Sequence, residues 1–164
     1  MSRLDAFIRR MEAQRDCLNH ALTLVEALPG PILEFGLGNG RSYDHLRERA
    51  RGRPIFVFDR QIAAHPGSVP PEEFLILGDF AETLPQASER IGGPAVLAHL
   101  DIGSGRPEVD RAISRLVAGY LPSLLLTGGI VVSDQRLPAR ALRRIPLPAG
   151  VPDERYFLYC RADG

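Results

Sequence analysis

Apolar residues along the chain follow two rhythms. Near the start, Leu4, Phe7, Ile8, Met11, Leu18, Ala21, Leu22, Val25 and Leu28 recur at the spacing that lays an apolar stripe along a helix. Ser2 and Asp5 form a capping pair at its start, and Pro29-Gly30-Pro31 ends it. The pattern then changes to short unbroken apolar runs at Pro31–Phe35, Pro54–Phe58, Phe74–Leu77, Ala95–Leu100 and Gly129–Ser133. Helical spacing separates them at Arg41–Arg51, Phe80–Ile91 and Glu108–Leu121. Gln61–Pro71 holds three prolines and a glycine and reads as a loop. Pro138–Pro152 is irregular, with a short strand expected at Ala141–Leu147 and a last strand at Arg155–Arg161.

Strands alternating with helices predict an α/β fold with a mostly parallel sheet. Continuous apolar runs, rather than alternating ones, fit strands covered by helices on both faces. In such sheets ligands bind outside the carboxyl ends of the strands, where strand order reverses. The residues just past each strand are therefore the place to look for chemistry.

Composition narrows the field. At 164 residues the chain suits a single domain: an N-terminal helix over 1–30, a core over 31–135 and C-terminal strands over 136–164. Formal net charge is +0, which argues against a broad nucleic-acid grip. All 20 basic residues are Arg, so no Lys can act as a base or form a Schiff base. Cys17 and Cys160 form neither a zinc spacing nor a disulfide framework, and a reduced, cytoplasmic setting is expected. No apolar run approaches the length of a membrane span.

The first strand runs into Glu34-Phe35-Gly36-Leu37-Gly38-Asn39-Gly40. Glycines at every second residue let the backbone approach a ligand closely. The dinucleotide fingerprint would need a glycine where Arg41 stands. The second strand ends at Asp59, followed by Arg60, and a carboxylate about 20 residues past such a loop can hold ribose hydroxyls. The third strand ends at Gly78-Asp79-Phe80, where Asp79 could instead cap the next helix.

With these residues in order, the chain from about Pro31 to Ser133 resembles the class I S-adenosylmethionine-dependent methyltransferases. The resemblance implies a Rossmann-like, mostly parallel seven-stranded sheet. It implies that Glu34, Gly36, Gly38, Gly40, Tyr43, Asp59, Arg60, Asp79, Phe80 and Asp101 bind S-adenosylmethionine. Glu34 would hold the loop or reach the cofactor's amino group, Asp79 would receive the adenine amino group, and Tyr43 would cover the cofactor.

Asp101 after the fourth strand and Asp134-Gln135 after the fifth resemble the catechol- and macrolide-type O-methyltransferases, which hold a divalent metal at those places. On that resemblance Asp101, Asp134 and Gln135 would hold Mg²⁺, and Asp101, Asp134 or His99 would serve catalysis. His99 lies two residues before Asp101 and shares its sheet face; it reads either as a base at the cleft or as a buried, hydrogen-bonded strand residue. No Asn-Pro-Pro-Tyr-like tetrad follows the fourth strand, which disfavours amino methylation of bases or glutamine. The expected reaction is methyl transfer to a hydroxyl of a small molecule, with the acceptor pocket open or completed by a second copy in a homodimer. Arg136, Arg140, Arg143 and Arg144 could bind an anionic acceptor or form a solvated run. Two other readings stand beside this one: a non-catalytic domain that binds the cofactor as sensor or partner subunit, and an NAD-binding oxidoreductase.

Overall fold

The computed structural model describes residues 1–50, 52–138 and 140–163; Arg51, where the second helix was expected to end, lies outside them. Helix α1 (Arg3–Leu24) opens with the expected capping box, in which Ser2 and Asp5 satisfy each other's backbone amides. It stops short of Leu28. No basic residue stands in its last turn. Arg53 supplies the missing cation, donating to the carbonyls of Val25, Glu26 and Gly30 at 3.1, 3.0 and 3.0 Å.

β1 (Ile32–Phe35), α2 (Arg41–Arg49), β2 (Ile55–Asp59) and β3 (Leu75–Leu77) follow. The single helix expected over Phe80–Ile91 is broken into α3 (Phe80–Thr83), a 3₁₀ turn at Leu84–Gln86 and α4 (Ala87–Ile91). Pro85 is the cause: it has no N–H to donate and its ring crowds the preceding turn. β4 (Ala95–Leu100) has the expected bounds, and α5 (Pro107–Leu124) runs past Leu121 through Pro122. β5 (Leu125–Ser133) begins earlier than Gly129, and its pairing with β4 slips between Ala95↔Leu125 and Leu97↔Ile130. Gly129 permits that slip, since a Cβ there would meet the Leu126 and Val96 carbonyl oxygens at 2.9 and 3.2 Å. β6 (Leu142–Ile145) and β7 (Phe157–Arg161) complete the chain.

The strands form one seven-stranded sheet in the order β3-β2-β1-β4-β5-β7-β6. β1 to β5 pair in parallel, while β7 runs antiparallel to both β5 and β6. Side chains alternate between two cores. Leu33, Phe35, Phe56 and Phe58 pack with Leu84, Ile91, Val117 and Leu121 from the α3–α5 layer. Ile32, Ile55 and Val57 pack with Leu18, Ala21 and Leu46 from α1 and α2. Each fully buried Leu or Phe contributes about 1.5–3 kcal/mol, so these two layers carry most of the stability. Among the described residues no helix is long and apolar enough to cross a membrane.

The chain runs outward from β1 to β3 and returns to β4 beside β1. The crevice at that reversal opens at the carboxyl ends of β1 and β4.

Candidate cofactor cleft

Past β1 the backbone turns through Gly36, Gly38 and Gly40, all at positive φ (91, 50 and 83°). At Gly36 a Cβ would stand 2.4 Å from the Asp101 carbonyl oxygen, so only glycine lets this loop meet the end of β4. Gly38 has no heavy atom within 4 Å of where its Cβ would be and offers bare backbone to open space. Asp59 fixes the loop from β2. Its Oδ2 accepts from the amides of Leu37 (2.7 Å) and Gly38 (3.2 Å), and its Oδ1 from those of Arg60 (2.6 Å) and Gln61 (3.3 Å).

Gly36, Gly38, Asp59, Arg60, Asp79, Phe80 and Asp101 line one cleft of about 470 Å³. They come from the ends of β1, β2, β3 and β4. Ala81, Glu82, Ile102, Gly103, Ile113 and Leu116 complete its walls, and Ile102, Ile113 and Leu116 give it an apolar side suited to a flat ring. Asp79 stands before α3 but makes no side-chain cap bond; its carboxylate pairs instead with the Arg60 guanidinium across the cleft mouth. Phe80 packs edge-on against Phe35, 5.7 Å between ring centroids, and Phe35 stacks on Phe58 at 4.7 Å.

Of the residues expected to bind the cofactor, Glu34, Gly40 and Tyr43 do not line the cleft, and neither does the expected base His99. Tyr43 is buried in the core between α1 and α2, with Arg47 over its ring at 5.6 Å. Residues 42, 43 and 46 share the buried side of α2, so Tyr43 turns with Leu46 away from the loop. His99 and Glu34 are both fully buried beneath the cleft. They face each other across β1 and β4 in register, and His99 Nδ1 donates to Glu34 Oε2 at 2.7 Å. The other Glu34 oxygen accepts from the Ser42 hydroxyl at the start of α2. Both oxygens are engaged, so Glu34 ties the glycine loop's helix to the sheet rather than facing a ligand. Burial alone would lower the His99 pKa; the Glu34 carboxylate more than offsets it and holds the imidazole above its ordinary value.

Sequence reading missed Arg10, Gln14 and Tyr156. Arg10 Nη2 donates to Asp101 Oδ1 at 2.7 Å, and Gln14 Nε2 donates to Asp101 Oδ2 at 3.2 Å. Tyr156 stacks near His99, 6.5 Å between centroids, and its buried hydroxyl finds no hydrogen-bond partner among the described residues. The regular polar positions on α1 carried no motif. Only the fold brings Arg10 within reach of a carboxylate 91 residues away.

Asp134 accepts from the amides of Ile102 (3.2 Å) and Gly103 (2.9 Å) and so latches the β4 loop to β5. Burial first, then the Asp101 carboxylate, hold its pKa above the ordinary value. Gln135 presents its amide nitrogen to Asp134 Oδ2 at 3.4 Å. This donor set does not fit Mg²⁺. A guanidinium already neutralises Asp101, backbone amides occupy both Asp134 oxygens, and Gln135 turns a donor toward the pair. Among the described residues no group of three or more His, Cys, Asp or Glu could hold a metal ion.

Arg136 and Arg144 do not form an open anion site either. Both pair with Glu154 and lie over the Phe157 ring at 5.2 Å. His65 accepts from the Gly67 amide at 3.1 Å within its own loop, and His45 meets Asn19 at 2.8 Å.

A family model for S-adenosyl-L-methionine methyltransferases matches residues 1–161. A crystal structure of an S-adenosyl-L-methionine methyltransferase from Silicibacter pomeroyi DSS-3 is 47% identical, with 99% of each chain covered and a TM-score of 0.92. Two more distant structures share the fold. MycE of the mycinamycin biosynthetic pathway, solved with Mg and SAH, is 15% identical with a TM-score of 0.54, over 88% of this chain and 48% of that one. The pyocyanin biosynthetic protein PhzM is 14% identical with a TM-score of 0.52, over 93% of this chain and 56% of that one. A search of curated proteins gives no match. The expected class I sheet is therefore shared with solved methyltransferases, and the chain belongs to the S-adenosyl-L-methionine methyltransferase family.

Proposed function

We propose that the protein transfers the methyl group of S-adenosylmethionine to a hydroxyl of a small molecule. The observation that carries this reading is the single cleft of about 470 Å³ in which Gly38, Asp59, Asp79 and Asp101 meet from four strand ends. Asp59 holds the ribose by giving up its two longer amide bonds, those to Gly38 and Gln61 at 3.2 and 3.3 Å. The adenine lies against Phe80, Ile102 and Leu116, with Asp79 at its amino group. The methionine end passes the bare backbone of Gly38 toward Asp101 and Arg10, one negative and one positive partner for its ammonium and carboxylate.

The bound cofactor supplies an already activated methyl group. The acceptor oxygen forms a bond to the methyl carbon as the carbon–sulfur bond breaks, and sulfur keeps the electron pair. Asp101 lends negative charge near the sulfonium. The acceptor's proton passes to water, while Asp134 holds the β4 loop in place through its bonds to the Ile102 and Gly103 amides. His99 and Glu34 act from below by fixing the start of α2. Alignment alone can supply about 7–11 kcal/mol of such an acceleration. Arg10 stands where a divalent cation would otherwise serve Asp101, so no metal enters this scheme. The buried, free Cys17, its thiol pushed up to about 12 by burial, suits a reduced cytoplasmic setting.

Incubation with methyl-labelled S-adenosylmethionine and a panel of phenols and alcohols tests the reading. Labelled methyl ether is expected, at equal rates with and without chelator. Transfer only to amines would overturn the oxygen assignment, and a rate lost to chelator and restored by Mg²⁺ would overturn the metal-free site.

A further inference from the structure

We infer that the outer part of a second cleft between α1 and the glycine loop, whose Arg10–Asp101 end takes the cofactor's methionine group, is the acceptor subsite, and that it selects an acceptor with an anionic group held by Arg41. The inference rests on the methyl-transfer reading above. This cleft, about 230 Å³, is lined by Phe7, Arg10, Gln14, Asn39, Arg41 and Asp101 among others. It shares Gly36, Gly38 and Asp101 with the cofactor cleft. A molecule held there therefore ends beside the methionine end of the cofactor.

Charge separates the roles of the two arginines. Arg10 is committed to Asp101 at 2.7 Å, and that pair already matches the charges of the cofactor's amino acid. Arg41 makes no ion pair among the described residues. Its guanidinium lies over the Phe7 ring, 5.7 Å from the centroid, and makes no side-chain hydrogen bond among the described residues. A fork so placed suits a carboxylate, which it can hold by two parallel bonds. Arg41 also opens α2, whose N-terminal end adds a partial positive charge. Beside it the Phe7 and Met11 side chains continue into an adjoining groove of about 270 Å³ that reaches Leu18. That surface suits the apolar or aromatic body of the same molecule. The chemistry favoured is a compact organic acid whose ring or chain lies on Phe7 and Met11 and whose hydroxyl points toward Asp101.

Benzoate and benzamide, titrated by calorimetry into the full chain saturated with S-adenosylhomocysteine, test this. Benzoate is expected to bind at least about tenfold more tightly than its neutral amide. In Arg41→Gln that preference should vanish, with S-adenosylhomocysteine affinity and melting temperature held. Equal binding of the two probes to the wild type, or an unchanged preference in Arg41→Gln, would overturn the inference. So would a variant weakened toward S-adenosylhomocysteine but not toward 5′-methylthioadenosine, since Arg41 would then hold the cofactor's own carboxylate. Failure of the wild type to bind S-adenosylhomocysteine would instead sink the methyl-transfer reading itself.

Discussion

Replacing Glu34 by alanine is expected to destabilise the protein by about 3–5 kcal/mol, the cost of leaving one member of a buried pair without its partner. Glu34 and His99 are both 0% exposed, and Glu34 accepts from His99 at 2.7 Å and from the Ser42 hydroxyl. Alanine strands both donors in a core that water does not reach. A domain of this size holds only about 5–15 kcal/mol in reserve, so the variant is expected to sit near the edge of folding. Glu34→Gln keeps one acceptor oxygen and should cost less. The His99 imidazole is more basic folded than its ordinary value of 6.5. The stability it contributes is therefore fully present below about pH 6.5 and fades as pH rises through the folded-state value. His99→Gln should remove that slope. Urea denaturation of the three variants across pH 5–9 gives all of these numbers. A Glu34→Ala loss under about 1 kcal/mol, or a wild-type stability rising with pH over that range through this pair, would contradict the account.

Asp59→Ala should weaken S-adenosylhomocysteine binding more than about tenfold, since hydrogen bonds to a charged group contribute about 1.5–3 kcal/mol each. The loss has two parts. The ribose loses its acceptor, and the glycine loop loses the carboxylate that gathers the amides of Leu37, Gly38, Arg60 and Gln61. Asp59→Asn separates them. An amide can keep one oxygen on the Leu37 side but turns a donor toward the Arg60 side, so it should bind more weakly than wild type and better than alanine. Wild-type affinity in Asp59→Ala, measured by calorimetry, would remove Asp59 from the site.

Much of this layout was legible in the sequence because it depends on local rules. Unbroken apolar runs marked the parallel strands, and the glycines at 36, 38 and 40 marked a turn that side chains would block. Asp59, Asp79 and Asp101 could be placed because each directly follows a strand. Pro85 itself signalled the broken helix, though the apolar spacing around it read through. The position of Tyr43 depended on how α2 rolls on the sheet, which one turn of helical spacing does not specify. Glu34 facing His99 follows from parallel register and was open to a reader who asked where a carboxylate inside a buried strand finds its donor. Arg10, Gln14 and Tyr156 were out of reach, because their partners come from segments far apart in the chain. The Mg²⁺ site that the resemblance implied at Asp101, Asp134 and Gln135 took no account of the guanidinium that α1 lays against Asp101.

The most direct test of the central claim is thermal unfolding of the wild-type chain with S-adenosylhomocysteine and, separately, with NAD. At a hundredfold excess over Kd a ligand bound only to the folded state adds about 2.7 kcal/mol, a shift of several degrees for a domain of this size. The account predicts that shift with S-adenosylhomocysteine, none with NAD, and its fall to about half or less in Asp59→Ala at the same ligand concentration. A shift with NAD alone, or none with S-adenosylhomocysteine, would contradict it.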